Sequence, residues 1–144
     1  MRRTLAALVA CTLFAAAPAG AVIRPQHGMS QIVLGMTKAQ VQARLGQPIG
    51  SGSGRVYYAR VWVGFRVGRV AEITTTRSTE RTASGIGVDS SEAAVRHAYP
   101  SVVCAPAAGF RRCRLGSGQP GTRATDFLIG HGRVLQISIQ LLPG

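Results

Sequence analysis

Acidic residues are what this chain has least of: five among 144, against seventeen basic ones, for a formal net charge of +12. The five are Glu72, Glu80, Asp89, Glu92 and Asp126, too few and too scattered to suggest paired carboxylates for acid–base chemistry. Lysine is nearly missing, with Lys38 alone beside sixteen arginines. No Gly-Lys-Ser/Thr closes the glycine-rich stretch 49–54, which excludes a phosphate loop. His27, His97 and His131 have no partner at metal-ligand spacing, and Ser30, Ser51 and Ser53 have no neighbouring base. No catalytic residue, metal or cofactor is therefore expected, and the chain reads as a non-enzyme. Nucleic acid is not an expected partner, since no module signature for it is present.

Long hydrophobic runs are equally scarce, and the one present opens the chain. Arg2 and Arg3 precede an apolar run from Thr4 to Ala17, and Pro18-Ala19-Gly20-Ala21 supplies small residues for a signal peptidase. Residues 1–21 are expected to be a signal peptide cut after Ala21, with the product secreted or exposed at the cell envelope and carrying no integral span. The same residues allow two other fates: retention as an anchor, or lipidation at Cys11 through the lipobox-like Leu8-Val9-Ala10-Cys11. Export leaves Cys104 and Cys113, an even pair in an oxidising compartment, and predicts a disulfide between them. Closing that loop stabilises the fold by about 2–3 kcal/mol. From residue 22 onward, fifteen basic residues face five acids. That surplus favours adhesion to anionic surfaces or acidic proteins.

Residues 22–31, with Pro25 and Gly28, read as a loose mature N-terminus. The stretch 34–48 then reads as one short helix with both ends written in. Thr37 caps the first turn and Gln40 reaches back to complete a capping box; Val41, Ala39 and Leu45 share a face, Gly46 suits a left-handed exit, and Pro48 forbids continuation. From residue 55 the period switches to two. Val61, Val63, Phe65 and Val67 alternate with Arg60, Trp62, Gly64 and Arg66, Gly68-Arg69 turns the chain, and residues 70–76 return as a second strand. Residues 56–59 are expected to form a third. The polar segment 77–84 serves as a linker.

The plan then recurs. Ile86-Gly87-Val88-Asp89-Ser90-Ser91-Glu92 follows the first helix start at an offset of 52 residues, aligning Thr37 with Asp89 as caps and Gln40 with Glu92 as their partners. Gly68-Arg69-Val70-Ala71-Glu72-Ile73 matches Gly132-Arg133-Val134-Leu135-Gln136-Ile137 at an offset of 64. The difference places extra residues, with Cys104 and Cys113 among them, in an enlarged connection between short strands around Val102 and Leu115. The expected fold is α+β: two tandem helix-plus-antiparallel-strand repeats, residues 32–76 and 85–144, forming one curved antiparallel sheet with helices on one face and an open face opposite. Alternation turns Val61, Val63, Phe65, Ala71, Ile73, Leu135, Ile137, Ile139 and Leu141 toward the helices. It turns Arg60, Trp62, Arg66, Glu72, Thr74, Gln136, Ser138 and Gln140 outward.

Gly35-Met36-Thr37 followed by Val41, Leu45-Gly46 and Pro48 resembles the helix signature of the SmpA/OmlA family of outer-membrane-assembly lipoproteins. The tandem arrangement, export signal and disulfide in the second copy resemble the β-lactamase inhibitory protein family. The resemblance spans roughly residues 32–141. It implies an eight-stranded antiparallel sheet whose open face or loops grip another protein. The acidic plug of those inhibitors has no counterpart here, because no aspartate lies between Lys38 and Val88.

The expectation for function is a non-enzymatic binding module that engages a protein or an anionic envelope component through the open face. Its candidate site is Trp62 with Arg60, Arg66, Thr74, Gln136, Ser138 and Gln140, since tryptophan and arginine are the residue types that anchor interfaces. Two alternatives stand beside it: an inhibitor of a secreted enzyme such as a β-lactamase, and an envelope-assembly factor.

Overall fold

The computed structural model describes residues 22–144; the expected signal peptide and Cys11 lie outside the described residues. The chain runs β1 (Val22–Ile23), β2 (Gly28–Met29), β3 (Ile32–Val33), α1 (Lys38–Leu45), β4 (Gly50–Gly52), β5 (Arg55–Tyr58), β6 (Val61–Arg66), β7 (Arg69–Thr75) and β8 (Arg81–Thr82). It continues through α2 (Glu92–Ala98), β9 (Val103–Ala107), β10 (Phe110–Leu115), β11 (Arg123–Gly130) and β12 (Arg133–Leu141). Eight strands make one antiparallel sheet in the order β4-β5-β6-β7-β12-β11-β10-β9, with small pairings of β1 with β8 and β2 with β3 beside it.

This corrects the expected fold class. The protein is mostly β, with helices of only 8 and 7 residues, and does not divide into two helix-plus-strand repeats. The helical signals are genuine but stop quickly: Gly46 ends α1 at φ 79, and Pro100 holds the Tyr99 cap out of the helical region. Each helix contributes one fully buried side chain, Val41 and Val95, stabilising the fold by about 1.5–2 kcal/mol apiece.

Five hairpins of the eight-stranded sheet turn through two residues, and in four of them, Ser53-Gly54, Val67-Gly68, Ala108-Gly109 and His131-Gly132, both turn residues stand at positive φ. That is the type I′ geometry whose twist matches the flanking strands. Two bulges interrupt the ladders. Gly64 pairs with Glu72 but Phe65 pairs with Val70, leaving Ala71 as the extra residue. Likewise Leu128 pairs with Gln136 and Ile129 with Val134, leaving Leu135 over. Each bulge moves the inward position one residue back. Val70 and Val134 are therefore buried, while Ala71 is half-buried and Leu135 is exposed, against the inward placement expected for both.

The bulges also seat the helix starts. Gly35 N–H donates to the Val70 carbonyl and Val70 N–H to the Met36 carbonyl; Asp89 with Val134, and Val134 with Ser90, make the same pair of bonds before α2. At α1 the capping box is present, with Thr37 Oγ1 accepting from Gln40 N–H and Gln40 Oε1 accepting from Thr37 N–H. At α2 the cap is Ser91, which accepts from Ala94 N–H at 3.0 Å. Asp89 sits in a left-handed turn at φ 73 and Glu92 is the first helical residue, so neither plays the capping part expected of it. Ser91 is the residue whose side chain meets the orphan amide, and the Glu92 carboxylate is held by Arg96 and Arg111.

The covered face packs Val61, Val63, Ile73, Ile137, Ile139 and Phe127 into one core with Val41, Val95 and the N-terminal Ile23, Met29 and Ile32. Residues 22–31 are thus not loose. The segment 77–84 is no simple linker either: β8 pairs in parallel with β1, and Glu80 is 1% exposed. Ser30 Oγ donates to both Glu80 carboxylate oxygens at 2.7 and 2.8 Å, and Arg77 Nη1 reaches it at 3.3 Å.

Candidate functional site

On the opposite face, residues in register across the sheet are Tyr57, Trp62, Thr74, Ser138, Asp126, Arg114 and Val103. One step away runs Arg55, Gly64, Glu72, Gln140 and Ala124; on the other side Gln136, Leu128, Arg112 and Ala105 line up. Thr74, Ser138, Ala124 and Asp126 form a buried floor. The polar groups of the floor are satisfied among themselves. Thr74 Oγ1 and Ser138 Oγ share a hydrogen bond of 2.8 Å across the β7–β12 seam. Arg114 donates bidentately to Asp126 at 2.7 and 2.6 Å, and Gln140 Nε2 donates to the same carboxylate at 2.6 Å. That carboxylate is the main reason the Arg114 guanidinium is held more basic than usual. Arg55 pairs with Glu72 through Nε at 3.2 Å and Nη2 at 2.9 Å.

Two depressions open on this face. One of about 220 Å³ is lined by Glu72, Arg112, Asp126, Leu128, Gln136, Ser138 and Gln140; a second of about 260 Å³ is lined by Val103, Ala105, Arg112, Arg114, Gly116 and Gly118. Arg112 is the wall between them. It is exposed and meets no carboxylate among the described residues.

Of the expected site residues, the structure brings Gln136, Ser138 and Gln140 together around one depression, with Thr74 beside them in the floor. Trp62 stands on the same face, half-buried between Tyr57 and Thr74. Arg60 is corrected: it occupies the Ala59-Arg60 turn at φ 60, beyond the strand. Arg66 lies at the strand end, where Nη2 donates to the Leu141 carbonyl at 2.8 Å. Trp62 is therefore not flanked by two free arginines. Sequence reasoning passed over Arg112, Arg114, Asp126 and Leu128. The signal for Asp126 and Arg114 was an acid inside the apolar run Ala124-Thr125-Asp126-Phe127-Leu128-Ile129, which a buried ion pair explains.

The expected disulfide is present, joining the directly paired Cys104 and Cys113 on the covered face. Donor atoms of Glu92, Cys104 and Cys113 cluster within 4.8 Å. Both sulfurs are consumed in the disulfide and Glu92 is held by Arg96 and Arg111, which is a poor donor set for a metal. No helix among the described residues is long and apolar enough to cross a membrane.

No family model matches the chain, and no curated protein matches it. A likeness exists to a solved structure. An extracellular protein containing a SCP domain from Bacillus anthracis str. Ames superposes with a TM-score of 0.54 at 10% identity, over 74% of this chain and 43% of that one. This chain thus spans less than half of that protein's length, and the likeness concerns the fold alone.

Proposed function

We propose that this chain is a non-enzymatic binding module, secreted or exposed at the cell envelope, that holds a partner protein against the open face of its sheet. The observation that carries this reading is the face itself: aromatic Tyr57 and Trp62 at one end, two depressions at the other, and a polar floor already satisfied between them. Such a floor is stiff and desolvated at little cost, and aromatic anchors beside it supply contact area with few rotors to freeze. A protein fits better than an anionic surface. Of the acids and arginines on this face, Glu72 is neutralised by Arg55 and Asp126 by Arg114, so the face is not the continuous positive field that a polyanion selects.

The test is affinity capture from native culture medium and envelope extract, using residues 22–144 and the double variant Tyr57→Ala/Trp62→Ala. The expected result is a protein retained by the native chain at physiological salt and lost by the variant. Capture that is unchanged by the double variant would place the contact elsewhere and end the open-face reading.

A further inference from the structure

We infer that the partner presents an acidic side chain next to an apolar one, and that its carboxylate docks on Arg112. This rests on the reading of the open face as a binding surface and names the chemistry of what it takes. Among the described residues the acids of the face are both paired, Glu72 with Arg55 and Asp126 with Arg114; Arg66 at its strand end donates to the Leu141 carbonyl, and Arg112 is the guanidinium between the two depressions with no carboxylate partner. The neighbouring pair is closed to a ligand, since Arg114 is already bidentate and Gln140 caps the same carboxylate. Arg112 is open. Its planar fork matches a carboxylate, and a charge-assisted bond inside a depression is less screened than one on a flat surface.

The walls on either side of Arg112 differ. Toward β12 they are Gln136, Ser138 and Gln140, neutral hydrogen-bonding groups suited to a peptide backbone, together with Leu128 and two carboxylates, Glu72 and Asp126, that Arg55 and Arg114 already hold. Toward the sheet edge they are Val103 and Ala105 with two glycines, and Val103 is 69% exposed, a surface that gains from being covered by an apolar side chain. One carboxylate with an adjoining apolar group satisfies all three features. Between the two depressions a strongly acidic polymer would find one cation without a carboxylate and no row of them.

The probe is the blocked pentapeptide Gly-Leu-Glu-Leu-Gly, compared with the same peptide carrying Gln for Glu, titrated into the isotope-labelled chain and followed by NMR. Saturable shifts of the Arg112 Nε–H and of β10 amides are expected with the Glu peptide, and about tenfold weaker binding with the Gln peptide or with Arg112→Gln. Arg44→Gln removes the same charge from α1, on the helix side, and is expected to leave the affinity within about twofold. Equal binding of the two peptides, or equal losses in Arg112→Gln and Arg44→Gln, would overturn the inference. So would inorganic phosphate or anionic phospholipid vesicles competing for Arg112 better than the Glu peptide, since that assigns the guanidinium to phosphate. Partner capture that survives Arg112→Gln but not the Tyr57/Trp62 double variant would sink this inference alone and leave the open-face reading standing.

Discussion

Replacing Val67 with asparagine is expected to stabilise the protein. Val67 is the first residue of the two-residue β6–β7 turn, at φ 49, and its side chain is 95% exposed. A β-branched residue in the left-handed region is strained by about 1–2 kcal/mol, because Cβ and its substituents crowd the carbonyl oxygen. Asparagine is the residue that tolerates this position best in front of glycine, and Gly68 follows at φ 69. Almost nothing is lost in exchange, since the remaining burial of Val67 is worth at most ~0.3 kcal/mol. The net gain is about 1 kcal/mol, which raises Tm by roughly 3–5 °C for a domain of this size. Urea unfolding of residues 22–144 should show a higher midpoint at an unchanged slope, as befits a change confined to the native turn. A midpoint that stays put or falls for Val67→Asn would mean that the turn carries no such strain, and the reasoning would be wrong.

Two further perturbations probe the ion pairs. The Glu92 carboxyl is held below its ordinary range, chiefly by the hydrogen bond from Arg111 and then by Arg96. A depressed carboxylate stabilises the fold above the unfolded value of about 4.3 and loses that contribution as pH falls through its folded value. Glu92→Gln should therefore lower Tm at neutral pH, with the gap to the native chain closing below about pH 4; a gap independent of pH would remove Glu92 from the account. Glu80→Ala strands the Ser30 hydroxyl and Arg77 in a site where the carboxylate is 1% exposed. A loss of about 3 kcal/mol is expected by chemical denaturation, and a loss under about 1 kcal/mol would show that the cluster is dispensable.

What could be read from the residues depended on whether a pattern extended far enough to have a period. The capping box at Thr37 and Gln40 is a fixed-spacing chemical signature, and it stands as expected. The alternation from Val61 to Val63 and from Ile137 to Ile139 assigned faces correctly because each strand has one covered side. It failed at Ala71 and Leu135, where a bulge inserts one residue without changing composition. A final hairpin around residues 130–132 is legible, but the faces of β11 are not, because Ala124, Thr125, Asp126 and Phe127 are all buried and no polar side marks the period. The strands at Val22–Ile23 and Arg81–Thr82 have two residues each, too few for any alternation. Ser91 and Asp89 are both sound caps by residue type, and only the bond from the Asp89 amide to Val134 decides between them. Glu80 reads as one residue of a polar linker, and only its bond to Ser30, fifty positions away, makes it part of the interior. For the open face, the neutral residues of β12 were visible and Arg112 was not, since nothing in the sequence says which arginines lack a partner.

The order of strands gives the C-terminus an unusual place. β12 is the last strand in the chain, yet it lies between β7 and β11 in the interior of the sheet. A chain cut short before residue 133 would lose a keystone rather than a border, leaving β7 and β11 each with a raw, unpaired margin. The floor of the open face would go with it, because Ser138 and Gln140 are the bonds that tie its two sides. A polypeptide threaded across a membrane from its N-terminus cannot close such a sheet until its final residues have arrived. If this chain is exported as proposed, its sheet closes only on the far side.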